Sequence, residues 1–283
     1  MTHGGSTLLD MLLSCHPAIC GVGEVARVLD PAVRASLVAS GKERRCSCGR
    51  AVTPHPDCPL WAPLIEELDA HPPSSTAEAY ARLLQQVTAV APETEVLCDS
   101  SKSLGSLRAL ARAVQQPELA GVQLRVIHLV RDVRSFAVSR RQRTKESSWA
   151  TWRRFGEWYR SNRRFERTIE RHGWPVFQLG HEELCLHPRA VLPALCAFLG
   201  VEFVPEMLDL AKSRGHVGIG NPMRMDAVRA SAIQYDHRWF LDDAVAWVSL
   251  LRPRIRRYNR ERVYARVPAP PRTRRRRSTP SGE

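Results

Sequence analysis

Residues 4–17 read GGSTLLDMLLSCHP: a glycine pair, two hydroxyl residues, an apolar run, and a proline that stops it. Leu8, Leu9, Met11 and Leu12 follow Thr7 at helical spacing, and Pro17 closes the helix. A helix N-terminus offers backbone N–H groups without intrahelical partners and a partial positive charge, so it favours a phosphate or sulfate. Gly4 and Gly5 let the backbone approach an anion, and Ser6 and Thr7 add hydroxyl donors. The same residues also fit a plain cap in which Ser6 satisfies the first turn. No lysine precedes the Ser-Thr pair and the G-x-x-x-x-G-K spacing is absent, which disfavours a nucleotide hydrolase or a P-loop kinase.

Beyond this opening, apolar runs alternate with helical patterns. EVLCD (95–99), VQLRVIHLV (122–130) and PVFQL (175–179) read as strands, the second Val/Ile-rich as expected of a strand covered on both faces. Ser75 and Glu78 form a capping box for a helix over 77–90. Helices also read over 104–114, from 133 onward, over 189–199 ending at Gly200, and over 241–251. A long amphipathic helix carries Trp149, Trp152, Phe155, Trp158, Tyr159, Phe165 and Ile169 at three- and four-residue steps, a stripe read as core. Residues 34–61 and the Gly-rich 213–224 read as loops. The alternation implies an α/β fold, a mostly parallel sheet flanked by helices on both faces, with ligands at the carboxyl ends of the strands. One domain spans 1–266, and a Pro/Arg-rich tail, 267–283, is expected to be disordered.

The chain has 283 residues and a formal net charge of +13. Residues 251–283 hold twelve Arg and two Glu, so +10 of that charge belongs to the C-terminal end. The tail implies weak, salt-sensitive polyanion binding rather than specific nucleic-acid recognition. No apolar run approaches the ~20 residues needed to cross a bilayer, and the N-terminus lacks signal-peptide features. The expected setting is the cytoplasm.

Four of the residues in RCSCGRAVTPHPDC, Cys46, Cys48, Cys58 and His55, stand close in sequence within a Cys-containing loop at about 41–62. They can close a tetrahedral metal site, form a disulfide, or remain reduced thiols; the spacing is not that of a zinc knuckle and does not decide. Arg131 ends the second strand and Ser139 follows about two turns along the next helix. A guanidinium and a hydroxyl so placed can grip one phosphate, or Arg131 can simply pair with Asp132 at the surface.

Together, GSTLLDMLLSCHP and VIHLVRDVRSFAVSRR resemble the two cofactor motifs of sulfotransferases that use 3′-phosphoadenosine 5′-phosphosulfate (PAPS). The likeness continues through CDSSKS, HEELCLHP…LCAFLGV and GHVGIGNPMR, covering most of the chain to about residue 250. It implies a P-loop-like α/β fold and sulfonate transfer from PAPS to a hydroxyl or amine, with no metal required. The acceptor is left open among small molecules, carbohydrates, lipids and peptides. By this resemblance Gly5, Ser6 and Thr7 bind the 5′-phosphosulfate, and Arg131 and Ser139 the 3′-phosphate. Lys102 neutralises charge on the sulfonate or the departing phosphate, and Arg224 closes over the nucleotide from a loop. ICGVGEV is similar to the segment of tyrosylprotein sulfotransferases that carries the base, which nominates Glu24; His16 and His181 are rivals.

Two departures stand out. The family has a strand before the loop, then Arg or Lys ahead of the Gly-Ser/Thr pair. Here His3 takes that position and the strand is missing, as a start codon placed too far downstream or a truncation would leave it. Without it, the neighbouring strands are expected to expose unpaired edges. The competing reading is a non-catalytic nucleotide- or polyanion-binding protein.

Overall fold

The computed structural model describes residues 4–220, 225 and 232–265. His3, Arg224 and the tail 267–283 lie outside the described residues. The chain begins with α1 (Ser6–Leu13), β1 (Ile19–Gly23), α2 (Ala26–Leu29) and α3 (Pro31–Ala39). A short hairpin, β2 (Arg44–Arg45) and β3 (Ala51–Thr53), leads to α4 (Trp61–Ala70), α5 (Thr76–Val90), β4 (Val96–Asp99) and α6 (Leu104–Ala113). Then come β5 (Val126–Val130), α7 (Val133–Thr144), α8 (Ala150–His172), β6 (Val176–Gly180), α9 (His181–Leu186) and α10 (Pro188–Leu199). Two last helices are α11 (Asp243–Leu251) and α12 (Pro253–Val263).

The α/β class is as expected, and the three strands read from sequence are β4, β5 and β6. The sheet is divided, however. β1 runs parallel to β4, with Cys20 opposite Leu97, and β5 runs parallel to β6, with His128 opposite Gln178. Between the pairs lies a cavity of about 610 Å³ lined by residues 95–99 of one and 124–129 of the other. Among the described residues β4 and β5 each have one strand partner, so the edges that face this slot are unpaired.

β1 itself is absent from the sequence reading. Its five residues ICGVG are all buried, but two glycines hide the β-propensity. Gly21 is required: a Cβ there would sit 2.4 Å from Ser14 Oγ and 3.0 Å from the Asp10 carbonyl, so α1 packs directly on the strand backbone. Residues 213–220 of the Gly-rich segment read as loop lie along the other edge of β1. His216 N–H donates to the Gly21 carbonyl at 2.8 Å and Glu24 N–H to the Ile219 carbonyl at 2.9 Å.

Helices cover both faces. Cys20 and Val22 point into a core with Trp61, Leu64, Tyr80 and Leu83, while Ile19 joins Leu12, Leu13, Leu179 and Leu192 on the opposite side. A third cluster packs α7 and α8 against α11 and α12 through Val130, Phe136, Phe155, Trp158 and Tyr258. The aromatic stripe of α8 is core only in part. Phe155, Trp158 and Ile169 are buried, but Trp149 is 90% exposed and Trp152 is half-exposed. Trp149 precedes the first helical residue, so helical phase does not place it, and Trp152 stacks under the Arg252 guanidinium, 3.5 Å from the ring centroid.

The stretch 34–61 holds α3 and the β2–β3 hairpin rather than loop alone. Its Cys46, Cys48 and Cys58 do converge, but the imidazole beside them is His216, not His55. His55 is exposed.

Candidate active site

Parallel strands deliver their carboxyl ends to one side of a sheet, and Glu24, Lys102, Arg131 and His181 each follow such an end. Glu24 follows β1, and Lys102 follows β4. Ser100 N–H donates to the Gly23 carbonyl at 2.9 Å and Ser101 Oγ accepts from Ala26 N–H at 3.0 Å, tying the two strand exits together. The result is a contact between the two residues nominated for chemistry: Lys102 Nζ lies 2.6 Å from Glu24 Oε1. Both side chains are less than a fifth exposed, at 18% and 17%.

Across the slot, Arg131 follows β5 and His181 follows β6. Arg131 pairs with Asp236 at 2.5 Å and stands 4.0 Å from Glu182, so it does not form the Arg131–Asp132 surface pair. Asp132 instead turns inward to Arg134, Asn259 and Tyr264. Ser139 is half-buried on α7, one turn beyond Ser135, whose Oγ donates to the Asp236 carbonyl at 3.3 Å. Arg131 and this face of α7 therefore meet around Asp236.

The opening turn touches both halves. Gly4, Ser6 and Asp10 line the same cavity as Ser101 and Lys102, while Gly5 packs against the His181 ring. Arg131 lies close enough for its charge to add to burial in pushing His181 down to about 3. Gly5 has φ +86 and occupies the cap position of α1. Ser6 is the first helical residue and not the cap; its Oγ is buried with no hydrogen-bond partner among the described residues. A buried, unsatisfied hydroxyl at a helix N-terminus points to a missing acceptor rather than to a cap.

The rival bases, His16 and His181, are both buried. His16 Nε2 donates to the Glu202 carbonyl at 2.7 Å and its Nδ1 accepts from Ala18 N–H at 3.0 Å, so both nitrogens are occupied. His181 is held neutral by burial and by Arg131. Its ring packs against Gly5.

Asp10 was missed by the sequence reading, although it sits four residues after Ser6 and so shares its helix face. Its carboxylate is 1% exposed and accepts from Cys98 Sγ at 3.3 Å. Burial raises its pKa from 3.8 to about 7, against hydrogen bonds from Ser100 and Cys98 and the charge of Lys102. The folded state therefore holds this proton more tightly than the unfolded chain, and stability falls as pH rises from about 4 to about 7, by roughly 4 kcal/mol at most. Asp10→Asn is expected to raise the thermal midpoint clearly at pH 8 and little at pH 4; an equal shift at both would contradict the assignment. Asp236 was also missed, because its partner Arg131 lies 105 positions away.

Residues 1–205 match the pattern of the Sulfotransferase family. The chain belongs to that family. No curated protein matches it in sequence. Among solved structures, a similar one is the sulfotransferase domain from the Synechococcus PCC 7002 olefin synthase, 19% identical, aligned over 88% of this chain and 90% of that one with a TM-score of 0.46. No helix among the described residues of this sulfotransferase-family chain is long and apolar enough to cross a membrane.

Proposed function

We propose that the chain transfers a sulfonate group from PAPS to a hydroxyl, or an amine, of an acceptor. The observation that carries this reading is the Glu24–Lys102 contact at 2.6 Å, with Lys102 lining the same cavity as the unsatisfied Ser6 hydroxyl. The acceptor oxygen attacks sulfur; the new O–S bond forms as the bond between sulfur and the 5′-phosphate oxygen breaks. 3′,5′-adenosine bisphosphate leaves with the charge, and Glu24 takes the acceptor proton. The N-terminus of α1, with Gly5, Ser6 and Thr7, holds the 5′-phosphosulfate. Lys102 follows the charge from sulfonate to departing phosphate. Donor binding competes with Glu24 for the Lys102 ammonium, and the weakened pairing leaves Glu24 freer to take the acceptor proton.

Arg131 and Ser139 take the 3′-phosphate in this scheme, with the Asp236 carboxylate holding Arg131 until the nucleotide arrives. Arg224 closes over the nucleotide from outside the described residues. No step calls for a metal. Acceptors are small molecules, carbohydrates, lipids or peptides, and the free cysteines fit a reducing, cytoplasmic setting.

Calorimetry with 3′,5′-adenosine bisphosphate tests the reading. The full chain is expected to bind, Arg131→Ala to abolish the heat, and removal of the tail after Val267 to leave it intact. If the tail deletion abolished binding while Arg131→Ala did not, the non-catalytic polyanion-binding alternative would replace this one.

A further inference from the structure

The cysteine cluster lies apart from the transfer site, on the far edge of β1. Cys46 and Cys58 are fully buried, His216 is 8% exposed, and Cys48 is exposed. Their ligand atoms all fall within 4.8 Å of one another. Cys48 Sγ stands 3.6 Å from Cys58 Sγ, and His216 Nδ1 is 3.4 Å from Cys58 Sγ and 3.8 Å from Cys46 Sγ.

Those separations are diagnostic. Zinc binds sulfur at about 2.3 Å and imidazole nitrogen at about 2.0–2.1 Å, so a tetrahedron of such ligands places sulfurs about 3.8 Å apart and sulfur and nitrogen about 3.6 Å apart. Three of the six separations match these values within about 0.2 Å, and the remaining ones lie within 4.8 Å, close enough for one ion to draw all four ligands in. The backbone prepares the geometry. Cys46 N–H donates to the Arg50 carbonyl at 2.7 Å and Gly49 N–H to the Cys46 carbonyl at 2.9 Å, closing a tight turn with Gly49 at φ +86.

A second set of bonds fixes that turn to the segment carrying His216. Ser47 Oγ donates to the Gly215 carbonyl at 2.6 Å and accepts from Val217 N–H at 2.9 Å, bracketing His216 on both sides. Trp61 Nε1, three residues after Cys58, donates to the His216 carbonyl at 2.8 Å.

We propose that Cys46, Cys48, Cys58 and His216 bind a structural zinc ion. Three thiolates and one imidazole fill a tetrahedron and leave no open position, so the ion is a staple and not a catalyst. It clamps the β2–β3 hairpin to segment 215–219, which in turn pairs with Gly23 and accepts the N–H of Glu24 through Ile219. The ion thereby braces the strand end that presents Glu24.

The test is metal analysis of the full chain purified under reducing conditions, followed by cobalt exchange. One zinc per chain is expected, and cobalt should give the strong near-ultraviolet thiolate charge-transfer band with intense tetrahedral visible absorption. Cys48→Ser, at the exposed ligand where folding is least at risk, and His216→Gln should each lose the stoichiometric zinc, whereas His55→Gln should keep it. Zinc at background with no cobalt band, a Cys48–Cys58 disulfide found by mass spectrometry in the reduced-lysate protein, or zinc lost with His55→Gln and kept with His216→Gln would each overturn the proposal.

Discussion

Glu24→Gln is expected to lower sulfonate turnover by about 100-fold or more, the usual contribution of a positioned proton acceptor, while leaving the affinity for 3′,5′-adenosine bisphosphate nearly unchanged. The glutamine keeps the shape and one oxygen for Lys102 but cannot take a proton from the acceptor. The assay is transfer of labelled sulfonate from PAPS to phenolic, carbohydrate and lipid hydroxyls. Lys102→Ala should lose turnover comparably but also weaken PAPS relative to the bisphosphate, because it acts on the group being transferred. Asp10 is the control. It faces the same cavity with a pKa raised to about 7, so a loss in Asp10→Asn that exceeded the loss in Glu24→Gln would move the base from β1's end to α1.

Gly5→Ala should be equally damaging, for a different reason. The left-handed backbone at φ +86 costs a side chain about 1–2 kcal/mol. The new methyl would also stand 2.1 Å from His181 Nδ1, an overlap that backbone shifts relieve at about 1–3 kcal/mol more. The midpoint of thermal unfolding should fall accordingly, and nucleotide binding should be lost as the turn moves off His181. Gly5→Ala combined with His181→Ala removes the overlap but not the backbone cost, so it should regain only part of the stability. Full recovery in the double variant would show that the left-handed turn is not needed.

The parts of this site that could be read in sequence are those carried by strand ends. Arg131 closes an unmistakable Val/Ile run, and Lys102 follows EVLCD at a distance that only a strand-to-helix turn fills. Glu24 rested on resemblance alone, because β1 does not look like a strand. Gly21 and Gly23 are there to let α1 and segment 215–219 approach its backbone, and the same absence of side chains erases the apolar pattern. The single parallel sheet was likewise inferred from alternation, which cannot show that β4 and β5 stand apart around a cavity.

Long-range partners were illegible for a plainer reason. His216 lies 158 positions from Cys58, and nothing local to GHVG marks it as the fourth member of the cysteine cluster. His55, three residues from Cys58, was the natural choice on spacing and points to solvent instead. Asp236 is similar: its partnership with Arg131 exists only because the chain returns past α7 after segment 215–219. Ser6 is a local case, where the sequence allowed either a cap or an anion ligand. A serine after Gly-Gly looks like a cap, but Gly5 holds the cap position and leaves the hydroxyl without a partner.

A crystal structure of the chain with 3′,5′-adenosine bisphosphate would examine the bridging of the two half-sheets directly. The 5′-phosphate should rest on the backbone of Gly5, Ser6 and Thr7 with Ser6 Oγ donating to it, and the 3′-phosphate should displace Asp236 from Arg131 and reach Ser139. Density for the nucleotide away from α1, or a 3′-phosphate that leaves the Arg131–Asp236 pair in place, would contradict the account.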